Sequence, residues 1–412
     1  MNLTAVIAEY NPFHKGHRWQ LERAGALTGS THTLALMSGS VVQRGAFALT
    51  DKWTRARAAV AGGVDLVCEL PYVYAGQSAE TFAAGAVKIL NAIGCCRTLV
   101  FGSESGDLGA LSEIAAILAE EPPAFKARLK AGLSAGLSFP RARAAAVQGM
   151  TALPAEALMR EPNNILGIEY LKALIKTQSP VTPLTLKRQG AGYHATALQT
   201  PGDFASASQL RAIFKNALNP GAQALLKDQL PYPQALVTDA LARQSPTRDE
   251  DFFKALTHLL LITPLKTLRE LPGWEPGLEF TLKSLPETCT SLDALYNALT
   301  AKHRPKSAMA RLAIALALGL SALELKTYTA PDFQPYLHVL AFNAKGQEIL
   351  RAIKAAEGLP ILTNLRSNQT ALNASQRRCL AWDVLATDLF SLYCEKQFTR
   401  GQDYRRGPVR VI

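Results

Sequence analysis

Apolar positions follow two rhythms along the first part of the chain. Leu3 to Ala8, Thr33 to Met37, Val64 to Leu70 and Thr98 to Phe101 are short apolar runs rich in β-forming residues. The first, third and fourth are closed by Asn11-Pro12, Pro71 and Gly102. Runs of this kind predict buried strands. Between them, apolar residues recur at helical spacing: Gly16 to Ala26 with Trp19, Leu21 and Ala24, Lys52 to Ala61 with Trp53, Ala56 and Val60, and Ala79 to Ile93. Strands alternating with helices in this way predict an α/β fold, a doubly wound, Rossmann-like parallel sheet.

The pattern then changes. Leu108 to Gln148 is rich in Ala and Leu at helical spacing, broken at Pro122 and Pro123, and predicts a helical insertion over about 108–160. A helix over Asn164 to Lys176, a strand over Leu184 to Arg188, a turn at Gly190 and Gly192 and a helix over Ser208 to Leu218 follow. Beyond residue 220 the periodicity is mostly helical, as in Phe252 to Leu261, Leu292 to Ala301 and Met309 to Leu318. Apolar Tyr336 to Phe342 and Pro360 to Thr363 make a more mixed stretch. The expected division is a sheet domain over 1–220 and a mostly helical domain over 221–412.

Composition narrows the class. Of 412 residues, 48% are hydrophobic and 19% charged, which excludes a disordered or fibrous chain. No apolar run approaches the roughly 20 residues of a membrane span. Met1 to Phe13 lacks a basic segment ahead of its apolar run, so no signal peptide is expected. Six cysteines without a C-x-x-C pair suit a reducing cytoplasm. The formal charge of +11 is shared by both halves of the chain and favours an anionic partner: a nucleotide, a nucleic acid or a membrane surface.

The densest chemistry is Glu9-Tyr10-Asn11-Pro12-Phe13-His14-Lys15-Gly16-His17, between the first strand and the first helix. A doubly wound sheet binds ligands there, outside the carboxyl ends of its strands. Helix N–H groups favour phosphate, and Gly16 permits a close approach. His14 and His17, three apart, can serve one ligand and stabilise charge developing on a phosphate. Two histidines without a third ligand make a poor metal site. Ser206 and Ser208 with Arg211 form a second anion motif at a helix start. Gln43, Arg44, Asp51 and Lys52 follow the second strand: Arg44 and Lys52 as phosphate or RNA contacts, Asp51 to orient a base or cap a helix. Lys302-His303-Arg304-Pro305-Lys306 with Arg311 is the main basic cluster of the C-terminal half, and Arg377-Arg378 and Arg405-Arg406 are weaker ones. Gly132-Leu133-Ser134-Ala135-Gly136 fits a hydrolase string without its strand, and neither a P-loop nor a G-x-G-x-x-G fingerprint is present.

The His14–His17 segment resembles the HxGH signature of the nucleotidylyltransferase superfamily. The longer string Ala8 to His14 is similar to the start of the bacterial tRNA(Met) cytidine acetate ligase family. Further matches follow in order: Met37-Ser38-Gly39, Val42 to Gly45, Asp51 to Ala56, Asp65 to Pro71, Gln77 to Glu80, Phe101 to Glu104, Pro162 to Leu166, Arg188-Gln189-Gly190 with Tyr193-His194, and Phe342 to Glu348. Lys15 departs from the family's usual Asn. The resemblance implies ATP-dependent activation of acetate as acetyl-adenylate and acetylation of N4 of the wobble cytidine in elongator tRNA(Met). It implies ATP contacts from Ile7, Ala8, Glu9, Tyr10, Asn11, Pro12, Phe13, His14, Lys15, Gly16, His17, Arg18, Trp19 and Gln20. Gly102, Asn163 or Asn164, and Arg188 complete that set, with Ser206, Ser208 and Arg211 on phosphate.

His14, His17, Lys52 and Asp51 are the catalytic candidates, and Arg44, Lys302, Arg304, Lys306 and Arg311 the tRNA-binding ones. Mg²⁺ is expected with ATP, no metal cage is evident, and no membrane or protein partner is expected. Two alternatives stay open, a small-molecule adenylyltransferase and an RNA-binding protein with a vestigial nucleotide site.

Overall fold

The structure, a computed structural model, describes residues 1–189, 204–215, 226–245 and 247–412. The turn expected at Gly190 and Gly192, the matched Tyr193-His194 and the end of the helix expected to reach Leu218 lie outside the described residues.

The apolar runs form the core of one sheet. Strands β1 (Leu3–Ala8), β2 (His32–Ser38), β5 (Leu66–Leu70), β6 (Cys96–Ser103) and β7 (Thr182–Lys187) lie in the order β5-β2-β1-β6-β7, all parallel. Two short strands, β3 (Val41–Val42) and β4 (Ala46–Phe47), make a separate hairpin after β2. Successive side chains on a strand point to opposite faces. Leu3 and Ala5 of β1, Leu34 and Leu36 of β2, and Leu66, Cys68 and Leu70 of β5 therefore join one apolar cluster. Val6, Ala35, Met37 and Val67, at the alternate positions, join a second cluster on the other face. Both faces need helical cover, which explains why these strands lack polar alternation.

Helices α1 (Lys15–Thr28) and α2 (Lys52–Ala61) cover the second face through Leu21, Ala24, Ala56, Ala59 and Val60. Helices α3 (Tyr72–Ala75) and α4 (Ala79–Ala92) cover the first face. The expected insertion is present as α5 (Leu108–Glu120), α6 (Pro123–Ser134), α7 (Phe139–Gln148) and α8 (Ala155–Leu158). It is followed by α9 (Pro162–Lys176), which packs on α4 and α5. The hydrolase-like string falls at the end of α6, with no strand ahead of it. A tenth helix, α10 (Ala207–Lys215), carries the second anion motif.

One expectation needs correction. The C-terminal half is mostly helical, yet the sheet does not end at residue 220. Strand β8 (Leu337–Phe342) pairs antiparallel with β5, and β9 (Ile361–Leu362) and β10 (Val409–Arg410) pair with β8. The apolar run Tyr336 to Phe342 is thus a strand buried in the sheet that begins with β1. A third apolar cluster, built on Leu260, Leu268, Leu282, Leu295 and Leu312, belongs to the helices over 248–318. No single described helix is long and apolar enough to cross a membrane.

Candidate active site

The carboxyl ends of β1 and β6, with Arg188 just after β7, open onto a cleft of about 250 Å³. Its shape begins with the turn after β1. Tyr10 is at φ 45°, and the Asn11–Pro12 peptide is cis. The turn is pinned from three sides. Asn11 Oδ1 accepts from Leu49 N at 2.7 Å, Arg211 Nη1 donates to Asn11 O at 2.7 Å, and Tyr232 OH donates to Phe13 O at 2.9 Å. Arg55, 2% exposed, reaches up from α2 and donates to Glu9 O at 2.7 Å, Ser38 O at 2.9 Å and Thr50 O at 3.2 Å, and to Gly39 O as well. One guanidinium thereby clamps the ends of β1 and β2.

His14 is the N-cap of α1. Its Nδ1 accepts from Gly16 N at 3.1 Å, and His17 Nδ1 accepts from His14 N at 3.3 Å. This is a capping box made of two imidazoles. Because each Nδ1 accepts a backbone N–H, each Nε2 carries the ring proton, a tautomer assigned from the hydrogen bonds. The rings stack, with centroids 3.8 Å apart and planes at 29°. Tyr10 packs edge-on to His17 at 4.9 Å. Burial, with Arg188 and Arg211 adding to it, pushes the His14 pKa down to about 3. Burial and the neighbouring His14 hold His17 well below its usual value. Both rings are therefore neutral Nε2–H donors near pH 7. A Cβ on Gly16 would stand 3.0 Å from the His14 ring, so the glycine makes room for the cap.

Around this pair the cleft is lined by Ile7, Ala8, Glu9, Tyr10, Asn11, Gln20, Gly102, Asn163, Arg188, Ser206, Ser208 and Arg211 of the expected set. Gly16 and Trp19 line a small hollow that shares His14, Arg188 and Ser206 with it. A Cβ on Gly102 would meet Arg188 Cγ at 3.3 Å, so the glycine makes room for the Arg188 side chain beside the strand. Burial lowers the pKa values of Arg188 and Arg211; both remain cations near neutral pH.

The two asparagines separate. Asn163 lines the cleft; its Nδ2 donates to Glu104 Oε1 at 2.6 Å and its Oδ1 accepts from Arg188 at 3.5 Å. Asn164 is 2% exposed and its Oδ1 accepts from Ser105 N at 3.1 Å. Glu104 also accepts from the backbone N–H groups of both, at 3.2 and 2.8 Å, and so occupies the start of α9.

Other expected contacts lie elsewhere. Pro12, Phe13, Lys15, Arg18 and Asn164 do not line the cleft. Phe13 is fully buried in the apolar core. Lys15 pairs with Asp228 at 3.3 Å and Arg18 with Glu22 at 2.8 Å.

Lys52 and Asp51, the other two catalytic candidates, do not line the cleft. Asp51 caps α2, accepting from Thr54 N at 3.0 Å. The Lys52 side chain has no exposure and meets Glu69 Oε2 at 2.7 Å and Asp403 Oδ1 at 2.6 Å. Glu69 in turn meets His338 Nδ1 at 2.6 Å. Burial would lower the Lys52 pKa, but Asp403 and Glu69 outweigh it and raise it. Glu69, His338 and Asp403 are placed closely enough to ligate a cation, and the Lys52 ammonium takes that position.

Of the basic candidates, Arg44 lines the cleft, and Arg44 and Lys306 line a larger cavity beside it. Arg311 Nη1 donates to Gln43 O at 3.4 Å. Lys302 donates to Gly136 O at 2.6 Å, and Arg304 lies 3.9 Å from Glu275.

A neutral histidine pair at the helix start, flanked by two arginines at the carboxyl edge of a parallel sheet, defines a nucleotide-binding transferase of the HIGH type. A model of the family described as HIGH Nucleotidyl Transferase matches residues 1–405. The tRNA(Met) cytidine acetate ligase of Thermoanaerobacter sp. (strain X514) is 37% identical over 414 residues, all of both chains. That of Acetivibrio thermocellus is 34% identical over 415 residues, 99% of this chain and 100% of its own. The crystal structure of Thermotoga maritima TmcAL in its apo form I superposes with a TM-score of 0.89 at 29% identity, covering both chains fully. Its form II, bound with alpha-thio ATP, gives 0.87 at 29% identity over 100% of this chain and 99% of that one. The chain belongs to the tRNA(Met) cytidine acetate ligase family of HIGH nucleotidyl transferases.

Proposed function

We propose that the protein is an ATP-dependent ligase that activates acetate as acetyl-adenylate and passes the acetyl group to N4 of the wobble cytidine of elongator tRNA(Met), in the cytoplasm. The observation that carries the reading is the stacked, neutral His14–His17 pair beside Arg188 and Arg211. Acetate is a poor acyl donor, because its leaving group would be oxide. Attack of its carboxylate oxygen on the α-phosphorus of ATP forms a mixed anhydride and releases pyrophosphate. Negative charge grows on the departing phosphate oxygens, and the two Nε2–H groups with the two guanidinium groups stabilise it. Neutral donors suit this step, since they give hydrogen bonds without losing a proton in the working pH range. Ser206 and Ser208 hold the terminal phosphates from the start of α10. Gly102 and Asn163 take the adenosine end.

Magnesium accompanies the nucleotide in this reading. Glu9 is the one carboxylate among the described residues lining the cleft, and its Oε1 already accepts from Gln43 N at 3.0 Å. A single carboxylate fits a hydrated Mg²⁺ carried on the phosphates. When bound, the ion would neutralise phosphate charge.

In the second half-reaction the exocyclic amine, a weak nucleophile, relies on positioning against the anhydride. The test has two parts. Acetate-dependent ATP–pyrophosphate exchange reports activation. Mass spectrometry of tRNA nucleosides after incubation with ATP, labelled acetate and unmodified elongator tRNA(Met) reports transfer. Label in N4-acetylcytidine, absent without ATP, is the expected result. Exchange that needs a phosphorylated precursor in place of acetate would instead make the protein a small-molecule adenylyltransferase.

A further inference from the structure

A second cavity of about 630 Å³ opens beside the cleft, within the size range of small-molecule sites. Arg44, Ser208 and Arg211 line both spaces, so the two adjoin. The other residues lining the second cavity come from several distant parts of the chain. The β3–β4 hairpin contributes Phe47, the Leu292–Leu299 helix contributes Leu292 and Tyr296, and the Lys306–Leu318 helix contributes Lys306 at its start. The hairpin is held against the last of these by Gly45, at φ 76°, whose missing Cβ lets its backbone sit against Arg311.

The lining has two chemistries. Phe47 and Tyr296, both partly exposed, present ring surface. Arg44 and Arg211 supply positive charge; Lys306 is paired with Asp293, and Arg248 and Asp249 lie 3.9 Å apart. Aromatic faces with cations at the rim are what a single unstacked base and its phosphates need. In the proposed reading the ATP phosphates are held in the cleft, which leaves the rest of this space to the acceptor.

Resting on the ligase reading, we infer that this cavity is the acceptor site, taking one extruded pyrimidine nucleotide of the RNA. The base lies against Phe47 and Tyr296, Arg44 grips a flanking phosphate, and Lys306 reaches another by giving up its pairing with Asp293. Its amine then enters the cleft past Arg211 and Ser208. There N4 forms a bond to the acetyl carbon, the bond from that carbon to the AMP oxygen breaks, AMP leaves with the electron pair, and N4 gives up one proton to water. Sequence alone made Arg44 and Lys306 general backbone contacts; the fold brings them to one chamber with two rings.

Two measurements test the site. The first compares half-reactions in Tyr296→Ala and Tyr296→Phe. Loss of the ring lowers the ratio of acetyl transfer to acetate-dependent exchange by about tenfold or more, whereas phenylalanine keeps it. An unchanged ratio in Tyr296→Ala overturns the inference. The second needs no turnover: a photoreactive pyrimidine at the wobble position of full-length elongator tRNA(Met) is irradiated on the unmodified protein. Crosslinks in the peptides holding Phe47 or Tyr296 are expected. Crosslinks confined to other surfaces, such as the groove of Arg243, Lys396 and Arg405, overturn the site. Absence of acetate-dependent exchange in the unmodified protein counts against the ligase reading itself, and the crosslinks still decide where the RNA base goes.

Discussion

His14 and His17 cap one another through the backbone: the amide of His14 bonds Nδ1 of His17, and Nδ1 of His14 takes the amide of Gly16. The same contacts that start α1 therefore fix ring orientation and tautomer at the site. Two results follow that a pair of loosely packed histidines would not give.

Replacing His17 with alanine removes one Nε2–H donor and the stack that holds the other ring. By comparison with lost oxyanion donors, acetate-dependent ATP–pyrophosphate exchange should fall about 10²–10³-fold. Binding of tRNA in a filter assay should be retained. Full exchange activity in this variant would remove the histidine pair from the mechanism.

The lowered His14 pKa has a consequence for stability. Folded, the ring titrates near 3; its unfolded reference is 6.5. Between those values the unfolded chain binds a proton that the native protein does not. Stability from this group is thus complete above pH 6.5 and declines as pH falls, by up to about 1.4 kcal/mol per pH unit. His14→Asn keeps an acceptor for Gly16 N–H, since asparagine is a good N-cap. Urea unfolding between pH 6 and 4.5 should show a shallower loss of stability in His14→Asn than in the unmodified protein. Parallel curves would mean that His14 protonates freely in the native state.

The asparagine pair offers a direct comparison. Asn163 faces the cleft and Asn164 is buried against Ser105. Asn163→Ala should raise the KM for ATP several-fold with little change in melting temperature. Asn164→Ala leaves the Ser105 amide without its acceptor and should cost about 1–3 kcal/mol of stability. Calorimetry and exchange kinetics on the two variants check both halves; a reversed pattern would exchange their roles.

Sequence carried the parallel core and the histidine motif because both are local. Strand runs such as Leu3 to Ala8 show in a few residues, and His14, Gly16 and His17 sit within one helical turn. Spacing could not show partners brought together by topology. His338 meets Glu69 from 269 residues away, and β8 joins β5 only after the whole helical region has intervened. Lys52, next to the helix-capping Asp51 and near Arg44, looked like a site cation for that reason. Arg55 stood only as one letter of a matched string, with no sign that its guanidinium would serve four carbonyl groups. A polar residue at an otherwise apolar helix position was the one available signal for each.

Arg55 is consequently a positioning residue. Its donors go to the carbonyls of Glu9, Ser38, Gly39 and Thr50, all at the cleft edge of the sheet. Arg55→Leu fills much of the volume and removes every donor. Such a change should destabilise the protein by about 3 kcal/mol or more, as for other buried polar groups left unpaired. Arg55→Lys restores one donor and part of the stability. In Arg55→Lys, exchange should show a raised KM for ATP, because the ends of β1 and β2 are no longer held together. Unchanged melting temperature in Arg55→Leu would contradict the clamp.

Lys52 tests whether a buried cation here supports chemistry or the fold. The ammonium lies between Glu69 and Asp403, and both carboxylates are shielded from solvent. Removing the charge with Lys52→Met leaves two buried carboxylates without their cation, a change that typically costs about 3–5 kcal/mol. Burial raises the Glu69 pKa, but Lys52 and His338 outweigh it and bring it down to about 2. The stabilisation from Glu69 is therefore present above its ordinary value near 4.5 and is lost as pH falls through 2. Without Lys52 the carboxylates rise in pKa, so Lys52→Met should be least impaired in mild acid, where they protonate. The double change Lys52→Met with Glu69→Gln removes one of the stranded charges and should recover part of the loss. Thermal melts at pH 5 and pH 8 check each point. A folded Lys52→Met protein at low temperature should retain exchange activity. Loss of exchange in a variant whose melting temperature is unchanged would instead return Lys52 to the chemistry.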